Sequence, residues 1–270
     1  GKIHLVNHLG IDGLGDTPEE ILTNVQTGNF NPSKISYNTG MASDSEYINR
    51  VRDVNSSTPS RFNADDRRLY EASGCAGKLG VFAVRTDTFA MPNKERVFYL
   101  GTNNPNKLTQ LRKDILINFK YLPEMAEYMN RMIFNVTESY GKDTFLAIKY
   151  LGTKNMPKFF ALKAKVEHLL KRMPLFSDTL VDKSLYYFSK LFPQQLPKRM
   201  LEFRDKYEYH LILSMSDKGI DEAQNYLKKH WSRESDSGFF MCTHDEGKKA
   251  LMHRFAAGGG AGRYQMVHSD

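Results

Sequence analysis

The chain has 270 residues, 38 Lys or Arg against 31 Asp or Glu, a formal charge of +7 and a pI near 9.2. Forty per cent apolar content is ordinary for a globular protein, and no run approaches the roughly 20 uninterrupted apolar residues of a spanning helix, so only peripheral membrane contact is expected. Gly1 to Asn7 lacks the apolar centre of a signal peptide, and Cys75 and Cys242 have neither CxxC spacing nor a disulfide framework, which favours a reducing, cytosolic setting.

In chain order, Gly1 to Asn7 reads as a strand with Ile3 and Leu5 on one face, and Arg263 to Val267 as a strand with nothing to follow; both ends read as those of a piece cut from a longer protein. Thr17, Pro18 and Glu20 supply an N-cap, a first-turn proline and a reciprocating carboxylate, predicting a short helix that stops near Gly28. Asn29 to Ser60 is polar and unpatterned, a long surface excursion. Asn63 to Ala72 is predicted helical, closed by Gly74 and Gly77, with Leu79 to Arg85 a buried strand and Arg96 to Gly101 a second strand. Asn103 to Asn106 leads into a helix with Leu108, Leu111, Ile115 and Phe119 on one face. Pro123 ends it, and Glu124 to Tyr140 is predicted as another helix, stopped by Gly141.

Beyond Gly141 the charge is concentrated. Lys142 to Lys206 holds fourteen Lys or Arg and six Asp or Glu, a net +8, while the rest of the chain nets −1. Such a segment is built to meet a polyanion. Phe160 to Met173 reads as a helix with Leu162, Val166, Leu169 and Leu170 on one face and Lys163, Lys165, Lys171 and Arg172 around the other, ended by Pro174. Ser177 caps a second helix to about Phe192, and Pro193 and Pro197 frame the connection to Lys198–Lys206. Short amphipathic helices broken by prolines make a poor self-contained core but lay apolar faces readily on a surface.

Phe145, Tyr150, Phe159, Phe160, Phe176, Tyr186, Tyr187, Phe188, Phe192 and Phe203 lie among the charges. Cations with aromatic and aliphatic neighbours suit an anionic membrane, where each cation contributes ~1 kcal/mol. They also suit a nucleic acid, whose phosphates and bases want the same partners. In a third reading the rings form a core and the lysines are solvated. The residues singled out for an anionic surface are Lys149, Lys154, Lys158, Lys163, Lys165, Lys171, Arg172, Lys183, Lys190, Lys198 and Arg199.

Tyr207 to Met215 alternates as a strand, Ile220 to Glu234 is predicted helical with Ala223, Tyr226, Leu227 and the lone Trp231, and Gly238 to Cys242 is a further strand. Thr243 and Glu246 form a capping box for a helix to Ala257, ended by Gly258 to Gly260. The fold class is α+β: an antiparallel sheet domain with the basic helices inserted. P-loop, HExxH and GxGxxG signatures are lacking, and the eight histidines are scattered without metal-ligand spacing, so no metal is expected. Cys242 reads as core, and the run Gly258 to Gly262 as a helix stop in preference to a phosphate cradle.

One local pattern is more specific. In Ser73 to Val81, small residues allow close backbone approach just before a predicted strand. This stretch resembles the flavin-contacting segment of vanillyl-alcohol-oxidase-type flavoproteins. Together with Leu5 to Asp12, Arg50 to Asp53, Tyr140 to Phe145, Arg204 to Glu208, His253 to Ala257 and Arg263 to Asp270, it makes the chain similar to the quinone-dependent D-lactate dehydrogenases, peripheral membrane respiratory flavoenzymes.

The resemblance implies a division of the chain. Residues 1–87 would complete a VAO/PCMH-type FAD domain, and 88–129 with 207–244 would form a cap domain with an antiparallel sheet. Residues 130–206 would be the membrane-binding helical insertion, and 245–270 a second membrane-binding or cap segment. It also implies FAD contact at Val81 through its backbone with Gly74 and Gly77 nearby. The implied reaction is hydride transfer from C2 of D-lactate to the flavin, giving pyruvate, then electron delivery to a membrane quinone at the cytoplasmic face of the inner membrane. Anionic phospholipid is the implied surface, with no nucleic acid. The loops holding the FAD pyrophosphate fall outside the chain, so this piece alone is expected neither to hold FAD tightly nor to oxidise lactate. A lactate carboxylate needs a cation and its hydroxyl a base, which makes Arg131, Arg254, Arg263 and His268 candidates, each with a structural salt bridge or hydrogen bond as the competing reading. No catalytic base is assigned. The competing function is a non-enzymatic basic module for nucleic acid, for which no RNA- or DNA-binding signature is present.

Overall fold

The structure is a computed structural model that describes residues 2–36, 46–57, 79–86, 88, 90–170, 180–231 and 236–268. The chain forms two compact units, Gly1–Met91 and Pro92–Asp270.

In the first unit, helix α1 (Pro18–Thr27) follows its sequence signals: Glu20 N donates to Thr17 Oγ1 at 3.3 Å, the Glu20 carboxylate accepts from Thr17 N at 3.2 Å, and Gly28 closes the helix at φ +69°. The polar stretch after it contains a short 3₁₀ turn, Pro32–Lys34, and helix α2 (Tyr47–Arg52). Arg85 ties the unit together, donating to the carbonyls of Leu9 and Ser36, both at 2.8 Å. Two expectations need correction. The described residues of 2–9 and 79–86 form no strand, and Val81, Phe82 and Val84 are exposed instead of buried, because no ladder partner pairs with them among the described residues. The predicted helix at 63–72 lies outside the described residues.

The second unit is an α+β sandwich. Strand β1 (Glu95–Thr102) is followed by α3 (Pro105–Asn118), whose first turn is capped by Asn104 accepting from Asn106 N at 3.0 Å. Strand β2 (Met125–Asn130) comes next, where a helix was expected. Residues 125–130 carry good helix formers, but pairing with a later strand overrides that local preference. Asn130 then caps α4 (Arg131–Tyr140), accepting from Ile133 N at 2.9 Å. The basic region contributes α5 (Lys142–Leu151), α6 (Met156–Leu170), α7 (Leu180–Ser189) and α8 (Lys198–Lys206). The chain returns to the sheet with β3 (Tyr209–Ser216), α9 (Lys218–His230) and β4 (Ser237–Met241), and closes with α10 (His244–His268).

The four strands run in the order β2-β3-β1-β4, every neighbouring pair antiparallel. Period-two alternation splits β1 between two cores. Phe98 and Leu100 pack with Leu111, Ile115, Leu227 and Trp231 from α3 and α9. Val97 and Tyr99 face the other way, toward Phe134, Phe145, Met200 and Ala256 from α4, α5, α8 and α10.

Helix α10 is the largest departure from expectation. The Thr243–Glu246 capping box starts it as foreseen, with Glu246 N donating to Thr243 Oγ1 at 3.3 Å. The helix then runs through Gly258–Gly260 to His268, so the predicted stop at Ala257 and strand at 263–267 are both replaced by helix. Close packing explains the glycines. A Cβ on Gly260 would lie 3.3 Å from Thr137 Cα and 3.2 Å from Gly141 N, and one on Gly141 only 2.8 Å from Ala256 O. The small residues let α10 press onto the α4–α5 junction, and that contact offsets the ~1 kcal/mol helix penalty of Gly259 and Gly260, whereas Gly258 makes none.

Candidate membrane-binding surface

The helices of the basic region are half core. Phe145, Ala147, Ile148 and Met156 are buried in the cluster beneath the sheet, and Leu196 and Met200 join them from the far end of the region. The expectation that these helices contribute little core is therefore corrected. What distinguishes them is the apolar material left over: Tyr150 and Leu151 end α5 in solvent, and Tyr187, Phe188 and Leu191 project from α7 and the turn after it.

Helix α6 carries the clearest pattern, with its apolar strip facing out. Leu162 is 63% exposed, Leu169 57% and Val166 41%. The expected orientation of its lysines is corrected too, since Lys163 points inward, 2.9 Å from Asp182 Oδ1. Lys158, Leu162, Lys165 and Leu169 succeed one another at steps of four, three and four residues, so they form one continuous exposed stripe alternating cation and leucine. Burying a leucine side chain is worth ~1.5–3 kcal/mol. A helix that keeps three aliphatic side chains in water forgoes that gain until something covers them.

The cations fall into three groups. Lys154, Lys158, Lys165 and Lys183 have no ion pair or hydrogen bond among the described residues, and Lys198 reaches only Glu202, at 3.6 Å on an exposed helix turn. Lys149 donates to Gln195 Oε1 at 2.8 Å, and Lys190 lies 4.2 Å above the Tyr186 ring. Lys163 and Arg199 are engaged within the protein. Arg199 forks onto Glu246, its Nε 2.8 Å from Oε1, and its guanidinium stacks 4.2 Å from the Phe240 ring. That hydrogen-bonded cation holds the Glu246 carboxyl down at about 2. Lys171 and Arg172 lie outside the described residues.

Beneath the surface sits a buried ion cluster. Asp182 Oδ1 on α7 accepts from Lys163 of α6 at 2.9 Å and is ion-paired with Arg263 Nη2 of α10 at 3.1 Å, and Arg263 Nη1 is 2.7 Å from Asp143 Oδ2 on α5. Four helices meet at four charges.

Among the described residues no helix is long and apolar enough to cross a membrane. The family described as D-lactate dehydrogenase, membrane binding, matches residues 97–270. The chain belongs to that family. It is 49% identical over 270 residues to the quinone-dependent D-lactate dehydrogenase of Escherichia coli, spanning 47% of that protein. Against the proteins of the same description from Haemophilus influenzae and Corynebacterium glutamicum it is 46% identical over 268 residues and 40% over 265, spanning 47% and 46% of them. The chain thus spans about half the length of the curated relatives it matches, and the resemblance read from the sequence is borne out.

In this member of the membrane-binding D-lactate dehydrogenase family, the four residues singled out for substrate each have a partner. Arg131 at the start of α4 is 3.1 Å from Glu208, and Arg254 on α10 is 3.1 Å from Glu127 on β2. Arg263 is buried in the ion cluster, and His268 lies with Nδ1 2.9 Å from Tyr264 O and Nε2 3.4 Å from the Tyr140 hydroxyl. Of the flavin candidates, Gly74 and Gly77 lie outside the described residues and Val81 is half-exposed. Cys242 is buried just past β4, and burial pushes its thiol up to about 12, as befits a core residue.

Sequence reading passed over two histidines. His210 on β3 and His253 on α10 are fully buried, with the Phe134 ring 5.7 Å and 4.5 Å from their rings. Desolvation, aided by the Arg131 cation near His210 and by His210 near His253, lowers His210 to about 4 and His253 to about 3. A signal was available: His210 shares the inward register of Ile212, and His253 precedes the core residue Ala256 by one helical turn.

Proposed function

We propose that this chain is part of a flavin-dependent respiratory enzyme that oxidises D-lactate to pyruvate and passes the electrons to a membrane quinone, resting on anionic phospholipid at the cytoplasmic face of the inner membrane. Residues 1–87 belong to a VAO/PCMH-type FAD domain, 88–129 and 207–244 to its cap, 130–206 to the lipid-facing insertion and 245–270 to a segment adjoining it. The observation that carries the membrane contact is the exposed stripe of Lys158, Leu162, Lys165 and Leu169, whose cations suit headgroups while its leucines suit the acyl boundary. A nucleic acid offers no comparable reason to leave aliphatic side chains uncovered.

Val81 suits the flavin contact because it is accessible. It is half-exposed, and a Cβ added at neighbouring Gly80 would meet only the Phe82 ring at 3.7 Å, so a flat ring system could lie on this stretch. Gly74 and Gly77 would complete the approach. FAD, when bound, supplies the hydride acceptor for C2 of lactate. Arg131 and Arg254 keep over a third of their side chains exposed, at 36% and 38%, and are the better placed to take the lactate carboxylate; Arg263 is committed to two buried carboxylates, and His268 to Tyr264 and Tyr140.

The test uses the full-length protein and vesicles of phosphatidylcholine and phosphatidylglycerol. It should sediment with them in a salt-sensitive way and turn over D-lactate with a quinone acceptor. Replacing Leu162 and Leu169 together by Ser should weaken sedimentation by about tenfold or more. Absence of D-lactate turnover, or an oligonucleotide that displaces the vesicles at far lower concentration than lipid, would overturn the proposal.

A further inference from the structure

The outward face of α6 has to be held outward. Met156 and Phe159 anchor its first turn in the core, and Lys163, one turn on, continues the same side of the helix. The strip of Leu162, Val166 and Leu169 lies next to that side, so a roll of roughly 100°, one residue's arc, would bring the strip inward and send Lys163 into water. Burying that strip would favour the rolled arrangement, although the roll would also turn Met156 and Phe159 out of the core. The ion cluster adds to that opposition: Asp182, buried on α7, accepts from Lys163 at 2.9 Å through Oδ1, and the same oxygen lies 3.1 Å from Arg263 Nη2, which is itself paired with Asp143. Withdrawing Lys163 would leave a buried carboxylate short of a partner.

We infer that the Lys163–Asp182 ion pair, braced by Arg263 and Asp143, pins α6 with its apolar strip turned toward lipid, which makes Asp182 a positioning residue for the membrane contact. The inference rests on the membrane reading above and adds that the orientation of the lipid-facing helix is set by charges that never touch lipid.

A sign reversal tests it. Asp182→Asn raises the net charge of the protein by one, so charge counting alone expects roughly fivefold tighter binding to anionic vesicles, at ~1 kcal/mol per added charge. The pin expects the opposite: sedimentation of the full-length Asp182→Asn variant with phosphatidylcholine–phosphatidylglycerol vesicles at least about fivefold weaker than the parent's. A polarity-sensitive fluorophore on Leu169→Cys reads the roll directly, in a background where Cys75 and every other reactive cysteine of the full-length protein is replaced by Ser and buried Cys242 stays unlabelled. In the parent it should report water until vesicles are added; in Asp182→Asn it should already report apolar surroundings.

Lys163→Ser covers the case in which Asp182→Asn fails to fold, because Asp182 then keeps Arg263 as partner. It too should shield the label in water, whereas Lys165→Ser, an equal loss of charge on the exposed stripe, should leave the label in water and Lys163→Arg should keep the parent's behaviour. Binding of Asp182→Asn as tight as the parent or tighter, or a label that stays in water in Lys163→Ser, overturns the pin. A parent protein that ignores vesicles while the label still moves would instead overturn the membrane reading and leave the pin standing.

Discussion

Phe98 on β1 and Phe188 on α7 are the same side chain under opposite conditions, one completely buried between α3 and α9, the other 60% exposed. Helices cover strand β1 of the sheet on both of its faces. The basic helices bury one side in the core beneath that sheet and leave the other side greasy and uncovered. Within one compact unit, apolar residues thus do two jobs, and burial separates them where composition cannot.

Truncation should break the comparison most sharply. Phe98→Ala is expected to cost about 3–5 kcal/mol in denaturant unfolding, while Phe188→Ala should stay within about 0.5 kcal/mol and show its effect only on vesicle binding. Equal losses at both sites would mean that the exposed ring is covered by protein after all.

Acid comes next. His210 and His253 are held at about 4 and about 3, below the ~6.5 of an unfolded imidazole. Above pH 6.5 both folded and unfolded states are neutral and the full stability is present. As pH falls below 6.5 the unfolded chain takes up protons first, so stability drops by up to about 1.4 kcal/mol per pH unit for each histidine until the folded values are reached. Unfolding at pH 7 and at pH 5 should differ by about 2 kcal/mol per histidine, and His253→Leu should make that difference smaller.

The glycines of the helix crossing sharpen the contrast further. Gly141→Val places a Cβ against Ala256 O at 2.8 Å and Thr137 O at 2.7 Å and is expected to destabilise by about 1–3 kcal/mol. Gly258, by contrast, has nothing within 4 Å of an added Cβ. Gly258→Ala should therefore stabilise by about 0.5–1 kcal/mol, read as a higher melting temperature, since at this position the helix simply continues.

What the sequence announced was local chemistry. Thr17 with Glu20 and Thr243 with Glu246 marked two helix starts, Leu111 and Ile115 marked the buried face of α3, and alternation marked β3. What it concealed depended on partners far along the chain. Met125–Asn130 is a strand because β3 pairs with it some eighty residues later, and Gly259 and Gly260 stand inside a helix, where a stop was expected, because Thr137, Gly141 and Thr144 pack so close that nothing larger fits. Lys163 and Lys165 look alike in sequence; only Asp182 and Arg263 make one of them internal. Where the anionic surface would be met was legible as a concentration of charge, and which residues face it was not.

Helix α10, 25 residues and so ~37 Å long, starts against Val97 of the sheet and carries Arg263 at its far end into the charge cluster behind α6 and α7. It is a single beam shared by the two halves of this unit. Load applied at the headgroup edge therefore has a stiff path to the strands, and deuterium uptake along α10 should slow at both ends together when vesicles are added.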